Sequence, residues 1–156
     1  MGRKQRGYSL MELMIVLAAT AMLSMGGMRG WQKWQQRQRL EQSARSLLVW
    51  LQQQRDEANA FNRERVLVVI RNGERWCLSA EAAAASVCHA PSRRIWMPPW
   101  PGVTLAEFTP GLTFFGLRNT AWNGHITLKN EAGRRRAVIS TWGRIRLCRA
   151  GEAGCR

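Results

Sequence analysis

Apolar and polar positions divide this chain into stretches of different period. Residues 1–7 form a short basic lead, with Arg3, Lys4 and Arg6 before Gly7. From Tyr8 to Met28 the chain is apolar and carries one charge, Glu12; Leu13 to Met28 carries none. A helix of ~20 residues crosses ~30 Å of hydrocarbon, so this run has the length of a membrane span. Gly26, Gly27 and Gly30 follow closely. Each lowers helix propensity by ~1 kcal/mol, which a membrane helix tolerates or answers with a local bend. From Trp31 the pattern turns amphipathic. Ala44, Leu47, Leu48, Leu51, Ala58 and Phe61 recur at helical spacing on one face, with Gln and Arg on the other. The spacing predicts one helix from about Ser9 to Asn59, ~75 Å long at 1.5 Å per residue.

The period then shortens to that of strands. Arg65 to Arg71 is rich in β-branched residues, Asn72-Gly73 is a hairpin signal, and Glu74 to Ser79 returns. Ala80 to Pro91 reads as a loop. Ile95-Trp96-Met97, stopped by Pro98-Pro99, reads as a short edge strand. Val103 to Leu105 and Leu112 to Leu117 are further strand candidates. His125 to Lys129, a turn over Asn130 to Gly133, then Arg136 to Ser140 and Arg144 to Cys148 close the chain. A long helix followed by antiparallel strands predicts an α+β fold: an N-terminal helix, half membrane and half amphipathic, packed on an antiparallel sheet.

Composition adds constraints. About 120 residues lie outside the apolar run, enough for one small domain. A hydrophobic fraction of 46% with eight Trp argues for a packed core rather than disorder. The net charge of +14 predicts attraction to polyanions such as nucleic acid, lipopolysaccharide or anionic lipid. Four cysteines allow three pairings; the local ones, Cys77–Cys88 and Cys148–Cys155, are preferred because each closes a short loop. A zinc site using His89 or His125 has no CxxC or HxxxH spacing behind it. No phosphate loop, nucleophile elbow or carboxylate pair is present, so the chain reads as a non-enzyme without cofactor or metal.

Gly7, the aromatic Tyr8, Glu12 at the fifth position after Gly7 and the apolar run behind them resemble the class III signal of type IV prepilins and type II secretion pseudopilins. The usual residue at the Tyr8 position is Phe. The resemblance implies a prepilin peptidase that cuts after Gly7 and methylates Tyr8, and a pairing of Glu12 with the Tyr8 amine of the same or a neighbouring subunit. It divides the chain into a leader, 1–7, a transmembrane and assembly helix, 8–30, and a periplasmic pilin-like domain, 31–156. Arg29, Lys33, Arg37 and Arg39 follow the apolar run, so charge counting alone leaves the orientation open. The resemblance implies a cytoplasmic leader, an inner-membrane anchor and a domain outside that later sits at a pilus or pseudopilus tip.

The C-terminal region carries a second resemblance. In Gly143-Arg144-Ile145-Arg146 the two arginines share one face of an expected strand, with Arg134, Arg135 and Arg136 nearby in sequence. Gly143, Arg144 and Arg146 resemble the C-terminal signature of the GspH/FimT family of minor pilins, one branch of which is implicated in DNA uptake. These five arginines are therefore candidate DNA contacts; the alternative is a closing strand with a solvated basic face. Arg63, Trp76-Cys77-Leu78 and the run Phe114 to Trp122 extend the similarity toward prepilin peptidase-dependent minor pilins of enterobacteria. The implied partners are other minor and major pilins or pseudopilins, the prepilin peptidase, the inner membrane and, in the alternative, DNA. The implied role is a minor pilin that helps to initiate fibre assembly.

Overall fold

The structure is a computed structural model that describes residues 9–81, 88 and 90–155. One helix, α1 (Leu10–Phe61), is followed by ten strands: β1 (Arg65–Val66), β2 (Val68–Asn72), β3 (Arg75–Ser79), β4 (Ile95–Trp96), β5 (Thr104–Phe108), β6 (Thr113–Phe115), β7 (Thr120–Ala121), β8 (Gly124–Asn130), β9 (Gly133–Ile139) and β10 (Ile145–Arg149). The chain forms two compact units, Met1–Gln35 and Gln36–Arg156.

The described part of the first unit is helical from Leu10 onward. Its large apolar side chains are exposed all round the helix, from 52% at Trp34 to 79% at Leu10. Among the described residues no helix is long and apolar enough to cross a membrane. The side chains at 25, 26 and 29 lie outside the description, and the run from Leu10 to Ser24 spans about 22 Å by itself.

The second unit is α+β. Strands form three antiparallel sheets in the orders β1-β6-β7, β10-β9-β8-β5 and β2-β3-β4. The second half of α1 packs on them along one stripe. Leu40, Ala44, Leu47, Trp50, Leu51 and Ala58 are buried at helical spacing and join Leu67, Leu78, Trp96, Leu112, Phe114, Ile126, Leu128 and Ile139 in one core. Gln54 lies on the same stripe and is fully buried; its amide nitrogen donates to the Arg93 carbonyl at 2.7 Å. Trp50 donates its indole N–H to the same carbonyl at 3.0 Å. These two bonds fix the loop before β4 against the helix and satisfy polar atoms that burial would otherwise penalise.

Two sequence expectations need correction here. Phe61, placed by helical spacing on the buried face, is 66% exposed. The helix stops at this residue: Asn62 takes φ 48°, and the Arg63 N–H returns to the Ala58 carbonyl at 3.1 Å, the closing bond of a left-handed helix cap. The apolar stripe therefore ends at Ala58. The single strand expected over Arg65 to Arg71 is broken at Leu67. That residue donates its N–H to the Leu112 carbonyl at 2.8 Å and is buried, so β1 pairs with β6 while β2 pairs with β3.

The cysteines are joined as Cys77–Cys88 and Cys148–Cys155, with Cα separations of 5.9 and 5.7 Å, in the ordinary range for a disulfide. The first ties β3 to the loop that leads to β4. The second closes the C-terminal turn onto β10.

Candidate functional site

Two regions hold the residues singled out by sequence, and they lie in different units. In the first, α1 begins after Ser9, whose carbonyl accepts the N–H groups of Glu12 and Leu13 at 3.0 and 3.2 Å. Glu12 thus sits in the first turn, where the helix dipole favours a negative charge. Its side chain is exposed, as are those of Leu13, Met14, Ile15, Val16 and Leu17. Gly7 and Tyr8 lie outside the described residues. Thr20 and Ser24 turn their hydroxyls back to helix carbonyls, Thr20 to Val16 and Leu17 at 2.9 Å each and Ser24 to Thr20 at 2.8 Å. Those bonds satisfy the hydroxyls internally, leaving Glu12 as the one charged side chain on this apolar surface between Leu10 and Met28. A contiguous apolar surface of this extent, rimmed by a single carboxylate, is built for burial against other apolar matter.

The second region is the four-stranded sheet. The five candidate arginines do not form one patch. Along β9 alternate residues face opposite sides. Arg135 faces α1 and pairs with Glu41 at 2.6 Å. Arg136 faces away and pairs with Glu107 on β5, while its guanidinium donates to Thr127 Oγ1 at 3.0 Å and to the Cys155 carbonyl at 3.1 Å. Arg134 is exposed at the turn end of the strand. Sequence proximity suggested a triple-arginine run; long-range pairing converts two of the three into internal ion pairs.

Arg146 lies on β10 and Arg144 immediately before it, so the strand is one residue shorter at this end than expected. Both are exposed, and neither forms an ion pair among the described residues. Gly143 beside them is buried and has φ 68°. A Cβ there would stand 2.9 Å from the Asn119 carbonyl oxygen, and Arg55 of α1 donates to the Gly143 carbonyl at 3.3 Å. The glycine is needed by the turn that docks on α1 and the Asn119 segment, whatever the arginines do.

Around Arg136 the outer face of the sheet carries a small polar network that sequence did not reveal. Thr127 is fully buried and donates its hydroxyl to Glu107 Oε2 at 3.1 Å; His125 Nε2 lies 3.5 Å from the same oxygen. The Thr127 hydroxyl, the Arg136 charge and the nearby His125 together hold the Glu107 carboxyl below the usual glutamate range, against the opposing effect of desolvation. The folded state therefore holds this proton less tightly than the unfolded chain does. The stabilisation is complete above the unfolded glutamate pKa, about 4.3, and is lost as pH falls through the lower folded value. Glu107→Gln should lower Tm at neutral pH and flatten its fall below pH ~4.3. Melting curves at several pH values check this; an unchanged acid slope in the variant would remove Glu107 from the account.

Residues 2–28 match the prokaryotic N-terminal methylation motif. This is a prepilin-type N-terminus. The motif spans the region of Gly7, Tyr8 and Glu12 together with the exposed apolar part of α1. No curated protein matches the chain significantly. Among solved structures, the minor pseudopilin EpsH from the type 2 secretion system of Vibrio cholerae is similar at 16% identity and a TM-score of 0.49, over 72% of this chain and 98% of that one. The prepilin-type N-terminus supports a type IV pilin or pseudopilin role, which is structural rather than enzymatic in kind.

Proposed function

We propose that this chain is a minor pilin or minor pseudopilin that helps to start assembly of a type IV pilus or type II secretion pseudopilus. The observation that carries the reading is the exposed apolar helix with its single carboxylate, lying within a matched methylation motif. In this reading prepilin peptidase cuts after Gly7 and methylates Tyr8. Residues 8–30 then anchor the protein in the inner membrane, with residues 31–156 in the periplasm. A carboxylate inside the span is costly, by up to the ~2.5–3.5 kcal/mol that insertion scales give at the helix centre, so Glu12 near the start of the span gains from a partner there. The Tyr8 amine of the same or a neighbouring subunit supplies one, and that pairing sets the register of one helix against the next. Extraction from the membrane then replaces lipid around α1 with helices of other pilins, and the Gln36–Arg156 unit contacts minor pilins at the tip.

Counting fibres in cells that lack this chain tests the initiating role. The expected result is few or no fibres, restored by the intact gene. Normal fibre number without it would end the initiation reading.

A second reading, a DNA-binding minor pilin for uptake, is favoured by one observation: Arg144 and Arg146 are exposed and make no ion pair among the described residues. If they contact phosphates, Arg144→Ala with Arg146→Ala should weaken duplex binding, which should itself fall steeply with salt. Retardation that is confined to low salt and indifferent to the double substitution would leave only the general charge of the protein.

A further inference from the structure

The arginine run has a different consequence at the turn end of β9. Arg134 and Arg135 of β9, Arg149 of β10 and Arg37 of α1 line one cleft of about 180 Å³, together with Leu40, Ala132 and Gly133. Arg149 stands directly opposite Arg135 in the strand register. No carboxylate lines the cleft. Glu41 holds Arg135 at 2.6 Å and is shared with Arg45 at 3.3 Å, while Glu131 and Glu152 are exposed and form no ion pair among the described residues. Arg37, Arg134 and Arg149 have no ion pair among the described residues. Four arginines from three separate elements line the cleft and one shared carboxylate pairs with one of them, which leaves a concave site with a positive excess.

A second arginine-rich cleft shows the difference. It is lined by Phe61, Arg63, Arg65, Arg93 and Arg94, but Glu57 also lines it and pairs with Arg65 at 3.5 Å and Arg93 at 3.2 Å. That cleft carries its own counter-charge. At the cleft of Arg134 the one counter-charge, Glu41, pairs with Arg135 without lining the cleft.

The geometry points to a phosphate-binding site in the cleft formed by Arg37, Arg134, Arg135 and Arg149. Guanidinium groups bind phosphate oxygens through paired, charge-assisted hydrogen bonds, and a tetrahedral dianion or monoanion can accept from several at once. The small volume suits a single phosphate group rather than a duplex backbone, which presents a row of phosphates along an extended surface. Arg37 follows Met28, the last residue of the uncharged run, by nine positions in the chain. The phosphate of an anionic phospholipid headgroup is therefore the natural source, and free phosphate is the other. The lipid source rests on the membrane-anchored reading; the phosphate site does not.

The test uses the full-length chain in maltoside micelles, titrated separately with inorganic phosphate, with water-soluble dihexanoyl phosphatidylglycerol and with a short DNA duplex, read by calorimetry. Arg134→Gln with Arg149→Gln is compared with Arg144→Gln with Arg146→Gln, which removes the same charge elsewhere. Because all four are exposed, both variants should melt near the parent; Arg37→Gln repeats the test from the helix if the strand variant does not fold. The expected result is saturable binding weakened about tenfold or more by the first pair and little by the second. Binding of phosphatidylglycerol alone identifies the headgroup as the source; equal binding of inorganic phosphate identifies the free ion. Absence of saturable binding by either, equal weakening by both pairs, or binding of the duplex alone through Arg134 and Arg149 would overturn the site. A Glu12→Ala chain should bind phosphate as the parent does, which separates this result from the assembly reading.

Discussion

Glu12→Ala should leave the protein in the membrane and abolish its support of fibre formation. Replacing a carboxylate by alanine removes an insertion cost, bounded above by the ~2.5–3.5 kcal/mol of a charge at the helix centre, so the anchor itself should improve. Helix propensity also favours alanine slightly. The favourable interaction of Glu12 with the helix N-terminus, ~0.3–1 kcal/mol, is the one local term lost and is too small to abolish assembly, so the loss must come from the missing partner for the Tyr8 amine. An uncompensated amine within an apolar bundle is costly because breaking one side of a buried pair leaves the other unpaired. The measurement is fibre number in cells carrying the variant as their only copy, alongside its level in the membrane fraction. Wild-type fibres at wild-type levels would remove Glu12 from the mechanism. Glu12→Gln, which keeps shape and hydrogen bonding, should also fail, because the pairing needs the charge.

Gly116→Ala should be the most damaging small substitution in the Gln36–Arg156 unit. Gly116 has φ −66° and ψ −36°, an ordinary helical conformation that alanine prefers. Backbone preference alone would predict a gain of ~0.4–1 kcal/mol from the change. Packing predicts the opposite. A Cβ at this position would lie 2.5 Å from the Ala58 carbonyl oxygen, 2.6 Å from Asn62 Cα and 2.8 Å from the Arg63 nitrogen. All three are backbone atoms at the end of α1, so no side-chain rotation makes room. Overpacking costs ~1–3 kcal/mol where side chains can shift, and a rigid helix end should reach the upper part of that range or exceed it. Tm should fall by about 10 °C or more. An unchanged or raised Tm would mean that the end of α1 is not seated against β6 and its following turn.

Much of this architecture was legible because it depends on local periodicity. The change from an uninterrupted apolar run to a stripe at Ala44, Leu47, Leu51 and Ala58 marks one helix with two environments. Asn72-Gly73 and the turn before Gly133 mark two hairpins by their turn chemistry. The preference for short-loop pairing of the cysteines also matches the bridges present. What escaped depends on contacts between distant residues. Leu67 looks like the middle of a strand, and only its bond to Leu112 shows that two sheets part there. The short strand β7 follows Arg118 and Asn119, which take the positive φ of the turn although Gly116, two residues earlier, has an ordinary helical φ of −66°. The arginines of β9 read as one basic run until Glu41 and Glu107 are seen to take two of them. Of the candidate site, the methylation motif was visible as a spacing. The phosphate-sized cleft was not, because Arg37 and Arg149 reach it from opposite ends of the sequence.

The most direct test of the whole account is the N-terminus of the protein made with an active prepilin peptidase. Intact mass and N-terminal sequencing of the membrane form should show a chain beginning at N-methylated Tyr8, and Gly7→Val should leave it uncut. A chain that keeps Met1 through Gly7 beside an active peptidase would contradict the prepilin reading and the assembly role built on it.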